Sequence, residues 1–159
     1  MSRLDSFIRR LCAQRDILNS IADDTRATPG AIMELGLGNG RTYDHIRELF
    51  PDRRIIAFDR ITRSFASSTP DSDSLVVGEI KDTIRDFFGF EAALVHADIG
   101  TGHGDLDAMT LTWLPDAVAC VLKQGGIAAC GLPLEHPDLA PLPLPQNVPA
   151  KRYFLYRRR

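Results

Sequence analysis

At 159 residues the chain is long enough to bury a substantial core in one domain and too short for a second. Its 44% hydrophobic and 25% charged composition is that of an ordinary globular protein, and a formal charge of −2 supplies no cationic field for nucleic acid or an anionic membrane. Three scattered cysteines without a C-x-x-C pair argue against zinc or a redox dithiol, and a charged N-terminus without an apolar run argues against a signal peptide or membrane span, so a cytoplasmic location is expected.

Leu4, Phe7, Ile8 and Leu11, continued by Leu18, Ile21 and Ala22, recur at helical spacing. They predict one amphipathic helix or two short ones within residues 1–28, either covering an edge of the sheet or serving as a lid or dimer contact. From Ala31 onward strands and helices alternate. Residues 31–35 form a short apolar strand running into glycines, and Tyr43, Ile46, Leu49 and Phe50 mark a helix stopped by Pro51. Residues 54–59 and 74–77 are the second and third strands. Ile80, Ile84, Phe87 and Phe88 form a second helical stripe, and residues 92–97 a fourth strand. A helix bent or restarted at Pro115 spans about 106–122, and residues 126–130 are a fifth strand.

Strands apolar on both faces and separated by helices imply a doubly wound, mostly parallel α/β sheet. Residues 133–149 hold six of the ten prolines, which excludes a regular helix or central strand there. The β-prone run 152–156 predicts a final edge strand within residues 151–159. Lys151, Arg152, Arg157, Arg158 and Arg159 are expected to be a solvated chain end rather than an RNA contact.

The informative stretch is Glu34-Leu35-Gly36-Leu37-Gly38-Asn39-Gly40-Arg41-Thr42, between a strand and a helix, where a doubly wound sheet binds its nucleotide. Glycines let the chain turn sharply and a ligand approach the backbone, and the following helix offers free amides. Asp59 ends the second strand 19 residues after Gly40, placed to accept hydrogen bonds from ribose hydroxyls. A nicotinamide or flavin fingerprint, G-x-G-x-x-G, requires glycine where Arg41 stands. S-adenosylmethionine explains the loop better: it has no phosphate and carries an ammonium group, which suits the Glu34 carboxylate that would repel a pyrophosphate.

Residues 34–40 resemble motif I of class I S-adenosylmethionine-dependent methyltransferases, and Phe58-Asp59-Arg60 resembles their second-strand acidic motif. The wider string, through residues 41–45 and 96–100, is similar to a compact bacterial family of predicted methyltransferases without an assigned substrate. The resemblance covers roughly residues 30–131. It implies a Rossmann-like three-layer sandwich with a truncated C-terminal part, as one domain: an N-terminal helical segment (1–28), a cofactor-binding core (30–131), a proline-rich segment (132–150) and the final edge strand. It also implies that Gly36, Gly38 and Gly40 line the methionine moiety, with Glu34 orienting the loop and Leu37, Asn39, Thr42 and Tyr43 belonging to the same cofactor site. Asp59 holds the ribose, Glu79 reaches the adenine amino group and Ile80 packs beside the ring, with Arg60, Gly78, Asp98 and Ile99 completing the cofactor site. For Tyr43, core packing competes with ligand contact, and a helix-start acid is the other reading of Glu79.

The acceptor is expected over the end of the fourth strand. Asp98 is the candidate for contacting the sulfonium or the acceptor, and His103, in a glycine-rich loop, is the candidate general base. His96 reads as a core histidine. Asp98, Asp105 and Asp107 offer oxygen ligands, but loop carboxylates of this kind are commonly solvated, and no metal is expected. The chain has no Asn/Asp-Pro-Pro-aromatic motif after the fourth strand, no Pro-Cys pair and no Asp-Asn after the fifth strand. These absences argue against nucleobase amino, cytosine C5 and metal-dependent O-methylation. The reading is a methyltransferase acting on O or N of a small molecule, with a pocket completed by the proline-rich segment or by oligomerisation. A non-catalytic S-adenosylmethionine-binding module is the alternative, and an NAD-dependent oxidoreductase a more distant one.

Overall fold

The computed structural model describes residues 2–159; Met1, at the head of the expected N-terminal segment, lies outside them. The elements in chain order are α1 (Arg3–Ser20), α2 (Ala22–Ala27), β1 (Ile32–Leu35), α3 (Arg41–Leu49), β2 (Ile55–Asp59), β3 (Leu75–Val77) and α4 (Ile80–Thr83). They continue with β4 (Ala92–Ala97), α5 (Gly104–Leu111), α6 (Leu114–Val121), β5 (Leu122–Cys130), β6 (Leu139–Leu142) and β7 (Phe154–Arg158). One seven-stranded sheet has the order β3-β2-β1-β4-β5-β7-β6. The first five strands in that order are parallel, and β7 runs antiparallel between β5 and β6. The winding reverses between β1 and β4, so a crevice opens beyond their carboxyl ends.

Every residue of β1 and β4 is buried, as befits parallel strands covered on both faces. Met33, Leu35, Phe58 and Val95 pack towards Ile84 and α6, while Ile32, Ala57 and Leu94 pack towards α1 and α3. The N-terminal segment is indeed two helices, joined at Ile21. Ser2 and Asp5 form a reciprocal capping box that starts α1. α1 does not cover a sheet edge: it buries Ala13, Gln14, Ile17 and Leu18 on the same face as α3. The Arg53 guanidinium donates to the carbonyls of Thr25, Arg26, Thr28 and Gly30, closing the end of α2 and fixing the chain as it turns into β1.

Three local expectations are revised and one holds. The 80–88 stripe is a short α4 continued by a 3-10 turn at Ile84–Phe87. The helical stretch at 106–122 restarts at Pro115 as expected: Pro115 sits in the first turn of α6, where its missing amide costs nothing. β5 begins at Leu122 rather than Gly126: the glycine turn is absorbed as an irregularity in its pairing with β4. The last strand is not at the edge. The proline-rich segment supplies β6 outside it, and Pro141, which cannot donate to a ladder, is tolerated because β6 has a neighbour on one side only.

The C-terminal arginines are also engaged. Arg157 donates to Asp24 at 2.6 Å and to the Gly125 carbonyl, Arg158 pairs with Asp138 at 3.4 Å, and Arg159 donates to the Pro137 carbonyl. They tie the last strand to its neighbours instead of forming a free basic tail.

Candidate functional site

A cleft of about 750 Å³ lies beyond the carboxyl ends of β1, β2 and β4, with the N-terminal half of α1 along one side. The loop after β1 contributes Gly36, Leu37, Gly38, Asn39 and Thr42. Asp59 and Arg60 come from the end of β2, Glu79 and Ile80 from the turn after β3, and Asp98 and Ile99 from the end of β4. Four segments far apart in sequence therefore converge on one crevice.

The glycine loop is built by close approach. Gly36 has φ +92°, and a Cβ there would lie 2.7 Å from the Ile99 methyl and 3.1 Å from the Asp98 carbonyl oxygen. Its amide and that of Leu37 donate to the Phe58 carbonyl, so the loop is pinned across β2. A Cβ on Gly38 would meet nothing within 4 Å, which leaves backbone open to a ligand in the cleft. Asp59 is fixed in turn: its Oδ2 accepts from the Gly38 amide and its Oδ1 from the Arg60 amide, both at 2.7 Å. Glu79 is exposed at the rim, 4.0 Å from the Arg60 guanidinium.

Five expected site residues do not line the cleft. Glu34 is fully buried beneath it. Gly40 starts α3 with φ +86° and turns its Cα towards Ser68. Tyr43 is buried on the α1/α3 side of the sheet with Arg47 over its ring, which decides for core packing. Gly78 packs against the Thr83 methyl. His103 is exposed at the start of α5, between the lining residues Thr101 and Leu106, and does not itself line the cleft. Of the two catalytic candidates only Asp98 lies there. Asp107 is occupied in tying its loop: it accepts from the Thr101 and Gly102 amides and the Thr101 hydroxyl, and these bonds hold its carboxyl below the usual carboxylate range.

The sequence reading missed the cleft residues of α1 (Phe7, Arg10, Leu11 and Gln14) and those around α5, of which Leu106, Met109 and Trp113 are the largest. The signal on α1 was its stripe, which is wider than a helix buried on one face needs. Arg10 and Gln14 both donate to Asp98 Oδ2, at 2.5 and 2.7 Å, and the Arg41 guanidinium sits over the Phe7 ring. α1 is thereby joined to β4 and to the glycine loop across the cleft.

Beneath the floor lies a buried polar cluster. Glu34 accepts from the Thr42 hydroxyl and meets His96 Nδ1 at 2.7 Å; His96 Nε2 meets the Tyr153 hydroxyl at 2.5 Å, with the two rings stacked. Burial pulls the imidazole's pKa down, but the charge and hydrogen bond of Glu34, helped by Asp98, outweigh it and hold His96 above its ordinary value. Burial pushes the Tyr153 hydroxyl far up, so it remains protonated.

A search of curated proteins finds no significant match, whereas the sequence family described as S-adenosyl-L-methionine methyltransferase matches residues 1–158. Among solved structures, an S-adenosyl-L-methionine methyltransferase from Silicibacter pomeroyi DSS-3 is 37% identical, covering 100% of this chain and 99% of that one, with a TM-score of 0.90. Two more distant structures share the fold. A Podospora anserina methyltransferase bound to S-adenosylhomocysteine is 16% identical over 100% of this chain and 80% of that one, TM-score 0.63. A Burkholderia thailandensis 1,6-didemethyltoxoflavin-N1-methyltransferase is 15% identical over 92% and 78%, TM-score 0.62. The chain belongs to the S-adenosyl-L-methionine methyltransferase family, with S-adenosyl-L-methionine as its methyl donor.

Proposed function

We propose that the protein methylates O or N of a small, largely apolar acceptor, with the donor held over the glycine loop and the acceptor between α1 and α5. The carrying observation is the division of one cleft. Its β1/β2/β4 side presents backbone and carboxylates, and its α1/α5 side presents Phe7, Leu11, Leu106, Met109 and Trp113. The open face of Gly38 fits a ligand lying against the loop, and Asp59 fits a ribose beside it. Glu79 and Ile80 would receive the adenine, and Asp98 the cationic end of the donor. The donor brings an electrophilic methyl on a sulfonium, so the protein's main contribution is alignment and exclusion of water.

Asp98 has Arg10 and Gln14 on one oxygen, which suits it to orient a cationic ligand rather than to carry protons. An acceptor that loses its proton easily removes the need for a further base. The Burkholderia enzyme's small heterocyclic acceptor supports a small molecule here, and the engagement of the C-terminal arginines by protein groups supports it over nucleic acid. Three free cysteines fit a cytoplasmic setting, and among the described residues no helix is long and apolar enough to cross a membrane. Exposed Leu4 and Ile8 on α1 fit a second copy closing the cleft, which light scattering of the purified protein would test.

Two measurements test the reading. Calorimetric titration should show S-adenosylmethionine and S-adenosylhomocysteine binding and NAD not binding. Transfer of label from methyl-labelled donor should then appear on members of a panel of aromatic hydroxy and amino compounds. NAD binding in place of the adenosyl ligands would overturn the donor site, and label passing only to a charged polymer would overturn the acceptor class.

A further inference from the structure

Two hydrogen-bonded runs, packed together under the floor, form an arch with both feet in the cleft. One foot is Thr42, at the start of α3, donating to Glu34; the other is Asp98, at the end of β4, accepting from Gln14 and Arg10. Between them the chain of contacts runs under the floor through Glu34, His96 and the Tyr153 hydroxyl, and Tyr153 shares a buried cluster with Ala13 and Ile17, the α1 residues on either side of Gln14. Glu34 and His96 are fully buried, and Tyr153 and Gln14 are within 2% of being so. Glu34 and His96 are register partners on adjacent strands, so the sheet itself sets their approach.

Stability does not explain this arrangement. Apolar residues of similar volume would fill the space without desolvating a carboxylate and an imidazole. The arch is nevertheless fully paired: among the described residues, the buried side-chain atoms without a partner are Thr25 Oγ1 and Arg152 Nε, and neither belongs to it. What the arch does is fix the mutual placement of α3, β1, β4, α1 and the segment before β7 at the point where they surround one end of the cleft.

We infer that His96 and Tyr153 are positioning residues of this methyltransferase: through Glu34 they set the glycine loop, and through the packing of Tyr153 with α1 they set the helix that holds Asp98, so they govern binding of the donor's amino-acid end without touching it. This rests on the donor placement proposed above. It separates the two halves of the donor, because the adenosine half lies against Asp59, Glu79 and Ile80, outside the arch.

The test uses two ligands on the intact chain: S-adenosylhomocysteine, and 5′-methylthioadenosine, which keeps the nucleoside and thioether but lacks the amino-acid tail. In Tyr153→Phe, which keeps the ring and removes the hydroxyl, the Kd for S-adenosylhomocysteine should rise about tenfold, the loss of one well-placed polar contact. The Kd for 5′-methylthioadenosine should stay within about twofold of wild type. A merely structural role would loosen the core and weaken both ligands alike. Equal weakening of both, or no change in either, overturns the inference. Wild-type protein that fails to bind S-adenosylhomocysteine overturns the donor placement instead. If Tyr153→Phe does not fold, His96→Asn, too short to span Glu34 and Tyr153 together, is read by the same split.

Discussion

The two ends of the cleft are built in opposite ways. At the β1/β2/β4 end each carboxylate is held by something fixed: Asp59 by two backbone amides, Glu34 by Thr42 and His96, Asp98 by Arg10 and Gln14. At the α5 end little is anchored. α5 buries none of its residues, and Leu106 and Met109 are 50% and 68% exposed. A donor shared by many reactions has one shape, so its site can be preorganised. A wall with few buried contacts sits at the low-stability end of the molecule, where it can adjust to the acceptor.

The contrast can be broken most severely at the rigid end. Replacing Glu34 by Leu leaves Thr42 and the buried His96 without their acceptor, and should cost about 3 kcal/mol of stability by chemical denaturation. A loss near zero would mean that the buried cluster is not an organising element. Asp59→Ala should leave the fold intact but weaken S-adenosylhomocysteine by about 1–3 kcal/mol, since both a charged acceptor and the anchor of the Gly38 and Arg60 amides disappear. Unchanged affinity in calorimetry would remove Asp59 from the site.

The same contrast explains what was legible in the sequence. The donor end is written in local signals: glycines at fixed spacing, Glu34 before them and Asp59 closing the next strand. The arch was not legible, because Tyr153 lies far along the chain from His96 and only the insertion of β7 beside β5 brings them together. Nor was the edge position of β6, although Pro141 carried the clue: of two C-terminal strands, the one with an internal proline belongs outside. The outward position of His103 was not legible for a related reason. Glycines flank it, and such a loop has no apolar pattern to show which way its side chain faces.

The buried histidine gives the rigid end a pH signature. Because His96 is held above its ordinary value of about 6.5, the folded state binds its proton more tightly than the unfolded chain. That stabilisation is fully present below the unfolded value and is lost as pH rises through the folded one. Thermal midpoints should therefore fall from about pH 6.5 upward in the wild type, and His96→Asn should lack this slope. Parallel pH profiles for the two proteins would mean that the folded and unfolded chains bind the imidazole's proton equally, and that Glu34 does not hold it.

The smallest effect belongs at the loose end. Met109 lines the cleft yet is largely exposed, so Met109→Ala removes little buried surface and should change stability by no more than about 0.5 kcal/mol. The donor's affinity should be equally untouched, because Met109 lies on α5 and not among the loops after β1, β2 and β3. Label transfer to an apolar acceptor should fall, since that acceptor loses part of its wall. Weaker S-adenosylhomocysteine binding in this variant would mean that the donor reaches α5, and that the cleft does not divide into a fixed end and an adaptable one.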